Sequence, residues 1–114
     1  MVRVALEAAQ LLESEGLQVG AFDPRWLAPL DEEAIRSAAT RANGKVVVAH
    51  EANVTGGFGA EIVARLHGLS ENGAPLRIER VGTPHVRIPA TPSLSQELLP
   101  NAERIADAVR AVVK

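Results

Sequence analysis

The residues best equipped for chemistry lie in one short stretch, "HEANVTGGFGAEI", residues 50–62. It sets a histidine beside a glutamate, His50 and Glu51, and follows them with Thr55, Gly56, Gly57 and Gly59. An imidazole next to a carboxylate suits general acid–base work. Glycines that lead from a strand into a helix suit anion binding, because the helix dipole and its free N–H groups attract negative charge. Three readings of the stretch compete. A dinucleotide fingerprint needs a strand, a glycine loop and a helix in that order, and Gly57 and Gly59 supply G-x-G. The next small residue belongs at position 62, where Ile62 stands, so that match fails. A small anion site around Thr55, Gly56 and Gly57 is physically possible but generic. The favoured reading is structural: Gly56 and Gly57 allow a tight connection, and Gly59 lets the helix approach its neighbour closely.

His50 and Glu51 fall at the C-terminal end of an expected parallel strand, where α/β folds place their sites. A small hydrolase or transferase using the two is the enzymatic alternative, yet no serine or cysteine nucleophile is placed with them. His67 falls mid-helix and His85 in a proline-rich segment, so neither gives metal-ligand spacing. The bland expectation for His50 is a hydrogen-bonded structural residue. Arg25 is read as an ion-pair or interface residue, with anion binding as the lesser option. Arg25, His50, Glu51, Thr55, Gly56 and Gly57 together form the candidate interface or anion site.

The elements that position these residues follow from pattern and punctuation. Residues 2–15 read as a helix with Val4, Ala8, Leu11 and Leu12 on one face and Gly16 as a left-handed stop. "LQVGAF", 17–22, reads as a strand ending at "DP". Asp31 caps a helix to about Ala42, with Glu32 and Glu33 favouring its dipole. "KVVVAH", 45–50, is a strand without polar alternation and is therefore expected to be covered on both faces. A helix from about Phe58 to Leu69, a turn at "SENGA", and a strand at 75–81 come next. Pro84, Pro89 and Pro92 make 82–92 an irregular crossing, and Asn101 caps a last helix that buries Ile105, Val109 and Val112. The sum is a single α/β domain over 1–114, a three-layer α/β/α sandwich around a mainly parallel sheet.

Composition narrows the function classes. The chain has 114 residues, 46% hydrophobic and only 3% aromatic, so aliphatic side chains must fill a small core. A net charge of −2 without a basic patch or stacking aromatics argues against a nucleic-acid partner. With no cysteine there are no disulfides, zinc ribbons or thiol chemistry. No apolar run approaches the ~20 residues of a membrane span, so no membrane partner is expected. The N-terminus lacks a signal-peptide pattern, which makes a cytoplasmic location the expectation.

"FDPRWLAPLDEEAI", "VVVAHEANVTGGFGAEIVARL" and "TPSLSQELLPNAERIADAV" also succeed one another in the order of a known domain. They resemble the C-terminal domain of the β subunit of the decarboxylating component of 2-oxo acid dehydrogenase complexes. Pyruvate, branched-chain 2-oxo acid and acetoin dehydrogenases share it, and more distantly it is the C-terminal domain of transketolase. The resemblance spans essentially the whole chain. It implies a parent assembly that oxidatively decarboxylates a 2-oxo acid with thiamine diphosphate and magnesium bound in other domains. None of that family's principal catalytic residues maps onto this sequence, so the isolated chain is expected to be inactive. The implied partners are an α subunit or fused α domain, a second β subunit and the dihydrolipoyl acyltransferase component. Gly73 stands where related subunits often carry an acidic docking residue, with Glu71 two residues away, so that contact is not carried over. The resemblance further implies a domain shortened at its N-terminus, because an inner strand ahead of the first helix, and an edge strand before that, have no counterpart here. A stand-alone non-catalytic binding or oligomerisation module is the alternative.

Overall fold

A computed structural model describes residues 1–69 and 75–114; the expected turn at 70–74, with Glu71 and Gly73, lies outside the described residues. The elements run α1 (Val2–Glu13), α2 (Glu32–Arg41), β1 (Lys45–Asn53), α3 (Gly59–Leu69), β2 (Arg77–Thr83), α4 (Pro92–Leu98) and α5 (Ala102–Val113). β1 and β2 pair in parallel, from Lys45 opposite Arg77 to Ala49 opposite Val81. Helices cover both faces, as the lack of polar alternation in β1 requires. On one face Ala8 and Leu12 of α1 meet Ile105, Ala106 and Val109 of α5 over Val47 and Ala49. On the other, Ile35 and Ala39 of α2 and Leu66 of α3 close over Val46 and Ile78. This is the expected three-layer α/β sandwich with a parallel sheet.

Local chemistry sets the helix ends. Asp31 accepts the Ala34 N–H at 2.9 Å, and Asn101 accepts the Arg104 N–H at 2.9 Å, so both expected caps form. Gly16 is left-handed, with φ of 81°, in the turn that follows α1.

Three expectations need correction. The 17–22 segment is not a strand: it runs as irregular chain with no ladder partner. Strand propensity is realised only against a neighbour, and among the described residues no strand pairs with it. The second strand begins and ends two residues later than expected, at Arg77 and Thr83. The irregular crossing expected at 82–92 spans only 84–91, since β2 runs to Thr83 and Pro92 opens α4, a helix absent from the expected order. Pro92 sits at the start of α4, where a missing N–H costs nothing, after Thr91.

Candidate functional site: a histidine walled by glycines

β1 does not end cleanly at His50. Between Ala49 and Asn53 it advances four residues while β2 advances two, from Val81 to Thr83, so the ladder bulges at 50–52. The bulge is tied to β2 by side chains. Thr83, fully buried, donates its hydroxyl to the Glu51 carbonyl at 2.5 Å, and the Arg80 guanidinium donates to the Val54 carbonyl at 2.8 Å. Arg104 of α5 donates to the Gly82 carbonyl at 2.7 Å and to the Leu98 carbonyl at 2.9 Å, which also anchors the end of α4.

Inside this frame the His50 ring occupies space left by three glycines. A Cβ on Gly59 would run into its Nε2 and Cδ2, one on Gly57 would lie 2.8 Å from Cε1, and one on Gly82 3.2 Å from it. A Cβ on Gly57 would also strike the Asn53 carbonyl. Gly57 and Gly59 are therefore required for close approach, whereas Gly56, with φ of 74° and open space around it, is required for its left-handed backbone. This supports the structural reading of the glycines, with one refinement: Gly59 makes room for a side chain of β1.

His50 itself departs from expectation. Both ring nitrogens are buried and neither meets a partner in good hydrogen-bond geometry, although the Ala52 backbone lies near enough to act on the ring. Burial pushes its pKa below the ordinary value, the nearby Arg80 cation pushes the same way, and the Ala52 backbone opposes them. Packing thus favours the neutral form of the ring. Glu51, adjacent in sequence, has an exposed side chain, so the structure does not join the two into a buried acid–base pair.

The remaining candidates, Thr55, Gly56, Gly57 and Arg25, are exposed or half-exposed. Thr55 and Gly56 are exposed on the bulge side of α3. Gly56 and Gly57 form the rim of an open hollow of about 490 Å³ that Phe58, Ala60, Glu61 and Arg65 complete. Arg65, the cation of that hollow, is engaged by Glu61 at 2.7 Å and by Glu32, and those carboxylates raise its pKa. An incoming anion would face Glu61 and an already neutralised guanidinium. Arg25 lies away from this stretch in the chain, in a loop where its own φ is 58° and its N–H bonds the Asp23 carboxylate at 3.0 Å. Among the described residues no group of three or more His, Asp or Glu side chains is placed to hold a metal, and no helix is long and apolar enough to cross a membrane. Nothing in the sequence marks Gly82, Thr83 or Arg104 as part of this site; Arg80 carries a readable signal, because it shares the half-buried face of β2 with Ile78 while Arg77 and Glu79 are exposed.

Comparison with known proteins places this architecture. The family model "Transketolase, C-terminal domain" matches residues 1–105. The β subunit of acetoin:2,6-dichlorophenolindophenol oxidoreductase from Bacillus subtilis (strain 168) is 33% identical over 104 residues, 91% of this chain and 30% of that protein. The Cupriavidus necator β subunit of the same name is 33% identical over all of this chain and 33% of its own length. A 1-deoxy-D-xylulose-5-phosphate synthase from Anaeromyxobacter dehalogenans (strain 2CP-C) is 39% identical, covering 98% of this chain and 18% of the synthase. A solved structure titled "Split gene transketolase, inactive beta4 tetramer" superposes with a TM-score of 0.84 at 32% identity, over 98% of this chain and 36% of that one. The chain therefore spans about a third of the length of the β subunits it matches. Its sequence and its fold agree that the chain belongs to the transketolase C-terminal domain family.

Proposed function

We propose that this chain is the non-catalytic assembly domain of a thiamine-diphosphate-dependent oxidoreductase β subunit of the 2-oxo acid dehydrogenase and acetoin type. One observation carries the reading: similarity over 91% and 100% of the chain to two acetoin:2,6-dichlorophenolindophenol oxidoreductase β subunits, at 33% identity each. The site chemistry is in keeping with it. The histidine at the strand end is packed against glycines with its neutral form favoured, and the adjacent glutamate is exposed. Such a site is suited to bracing a loop.

An assembly role needs a surface that association would cover. The loop after the 17–22 segment presents one, with Trp26 72% exposed, flanked by Phe22 and Leu27 at 45% and 49%. An exposed tryptophan on a short, braced loop is the kind of anchor that dominates protein interfaces. The partners proposed are an α subunit or α domain, a second β subunit and an acyltransferase component, with thiamine diphosphate and magnesium held elsewhere in that assembly. The 39% identity to a deoxyxylulose-phosphate synthase favours a second reading, the same bracing role within that larger enzyme.

Chimeras separate the two. This chain would replace the matched region of the Bacillus subtilis acetoin β subunit, and separately that of the Anaeromyxobacter synthase. The first reading expects assembly and cofactor-dependent turnover in the acetoin chimera and poor recovery in the synthase. Recovery only in the synthase chimera would favour the second, and recovery in neither would contradict both.

A further inference from the structure

We infer that residues 55–61 form a pH-sensitive flap, which closes over the neutral His50 ring and lifts from the sheet when that ring takes up a proton. The inference goes beyond the proposed function, since it concerns a motion of this domain whatever the parent assembly does.

The first observation is a segment anchored at both ends and mostly exposed between them. On its N-terminal side Arg80 donates to the Val54 carbonyl at 2.8 Å, and the Val54 N–H donates to the Thr83 carbonyl at 2.9 Å. On the other side Leu66 is buried with Ile35 and Ala39, and Ile62 packs against the same cluster. Between these anchors Thr55, Gly56, Phe58, Ala60 and Glu61 are exposed, and Gly59 alone is buried. Gly56, left-handed and with open space around it, supplies a hinge that a side chain would stiffen.

The second observation is what the segment closes on. Gly57 and Gly59 approach the imidazole so closely that neither has room for a Cβ beside it. Both ring nitrogens are shut away from water. A neutral imidazole has one N–H to satisfy, whereas an imidazolium has two. Neither nitrogen meets an acceptor in good hydrogen-bond geometry, so the closed site has no place for the second N–H. A buried cation left without an acceptor either loses its proton or moves to water. Lifting the flap gives the ring that second course without disturbing the helices packed on the rest of the sheet.

The charges around the ring act in the same sense. β2 brings Arg80, whose cation opposes a second positive charge on His50. α5 brings Arg104, which donates to the Gly82 carbonyl on the wall of the ring's own pocket. Residues 54–58 carry no titratable side chain. In α3, Glu61 is engaged by Arg65 at 2.7 Å, and Arg65 is engaged in turn by Glu32 of α2. Glu51, next to the ring in sequence, is exposed. No carboxylate among these is turned to the service of an imidazolium, so the closed flap selects the neutral ring. In the open flap the ring meets water and takes up its proton near the ordinary value of 6.5. The open fraction therefore begins to rise below that pH. Release uncovers Val48, a buried residue whose Cγ1 lies 3.4 Å from the Cβ position of Gly59, so an apolar patch appears at the end of β1 in mild acid.

The test is amide hydrogen exchange of the 114-residue chain from pH 7.5 to 5, expressed as protection factors so that the intrinsic pH dependence of exchange cancels. Ala60 and Ile62, whose N–H groups donate to the Gly57 and Phe58 carbonyls at 3.0 and 3.2 Å, report the flap. Ile105, buried in α5, reports the core. One proton limits the change to tenfold per pH unit, so protection at Ala60 and Ile62 should fall about three- to tenfold per unit below pH 6.5. Protection at Ile105 should hold within about twofold. His50→Gln and His50→Phe, the second keeping a ring without its nitrogens, should each abolish the fall. His67 and His85, both exposed, remain in these variants as internal controls. In the unaltered chain the NMR titration of the His50 ring should share its midpoint with the fall at Ala60. Constant protection at Ala60 and Ile62, an equal fall at Ile105, or separate midpoints would each overturn the inference. So would the same fall in either variant.

Discussion

Replacing Gly59 with alanine should reveal how tightly the 50–62 stretch is built. The new methyl group would enter space that His50 Nε2 and Cδ2 already occupy. The ring cannot retreat freely, since it already fills the room vacated by Gly57 and Gly82. Overpacking of this kind costs about 1–3 kcal/mol. Alanine's better helix propensity at the first residue of α3 returns up to about 0.5–1 kcal/mol. The expected net loss is thus about 1–2 kcal/mol, or a melting temperature lower by roughly 4–8 °C for a domain of this size. In a His50→Ala background the ring is gone, and the same methyl group enters the space it leaves, so Gly59→Ala should become neutral or slightly stabilising. The four proteins form a double-mutant cycle, read by urea denaturation followed with circular dichroism, with an expected coupling of about 1–3 kcal/mol. If Gly59→Ala cost the same in both backgrounds, within about 0.5 kcal/mol, the claim that the glycines exist to seat His50 would fail.

Two other perturbations probe the same frame. Because the folded-state pKa of His50 lies below its ordinary value of 6.5, the neutral ring contributes stability that is fully present above pH 6.5 and is lost as pH falls toward the folded value. Melting curves between pH 7.5 and 5 should show this loss, and His50→Gln, which cannot titrate, should flatten it; an equal slope in that variant would place the proton elsewhere. Thr83→Val removes the buried donor to the Glu51 carbonyl and should cost about 1–3 kcal/mol with faster exchange across 50–54, whereas an unchanged melting curve would mean that the hydroxyl does not hold the bulge.

The sequence made some parts of this structure legible and hid others for physical reasons. Asp31 and Asn101 announce their helices because a cap is a local interaction, complete within three residues. β1 and α5 announce themselves because their apolar pattern reports directly on which faces are covered. The 17–22 segment misleads for the opposite reason: its residues suit a strand, but a strand exists only against a neighbour. Pro92 was readable only as a breaker, although at the first position of α4 it initiates a helix. At the site, the glycine-rich connection could be recognised as structural, but not what it accommodates. Gly59 and Gly82 are 9 and 32 residues from His50, and only the fold brings all three together. The expectation of a hydrogen-bonded histidine is met only weakly: neither ring nitrogen has a partner in hydrogen-bond geometry, and the Ala52 backbone is the polar group that acts on the ring.

The most direct test of the central claim, that this is a bracing domain and not a catalytic one, is calorimetric titration of the purified 114-residue chain with thiamine diphosphate and magnesium. The account predicts no saturable heat and no cofactor-dependent turnover of acetoin or a 2-oxo acid by this chain alone. Saturable binding at one site per chain, abolished by His50→Gln without a change in the melting curve, would contradict it.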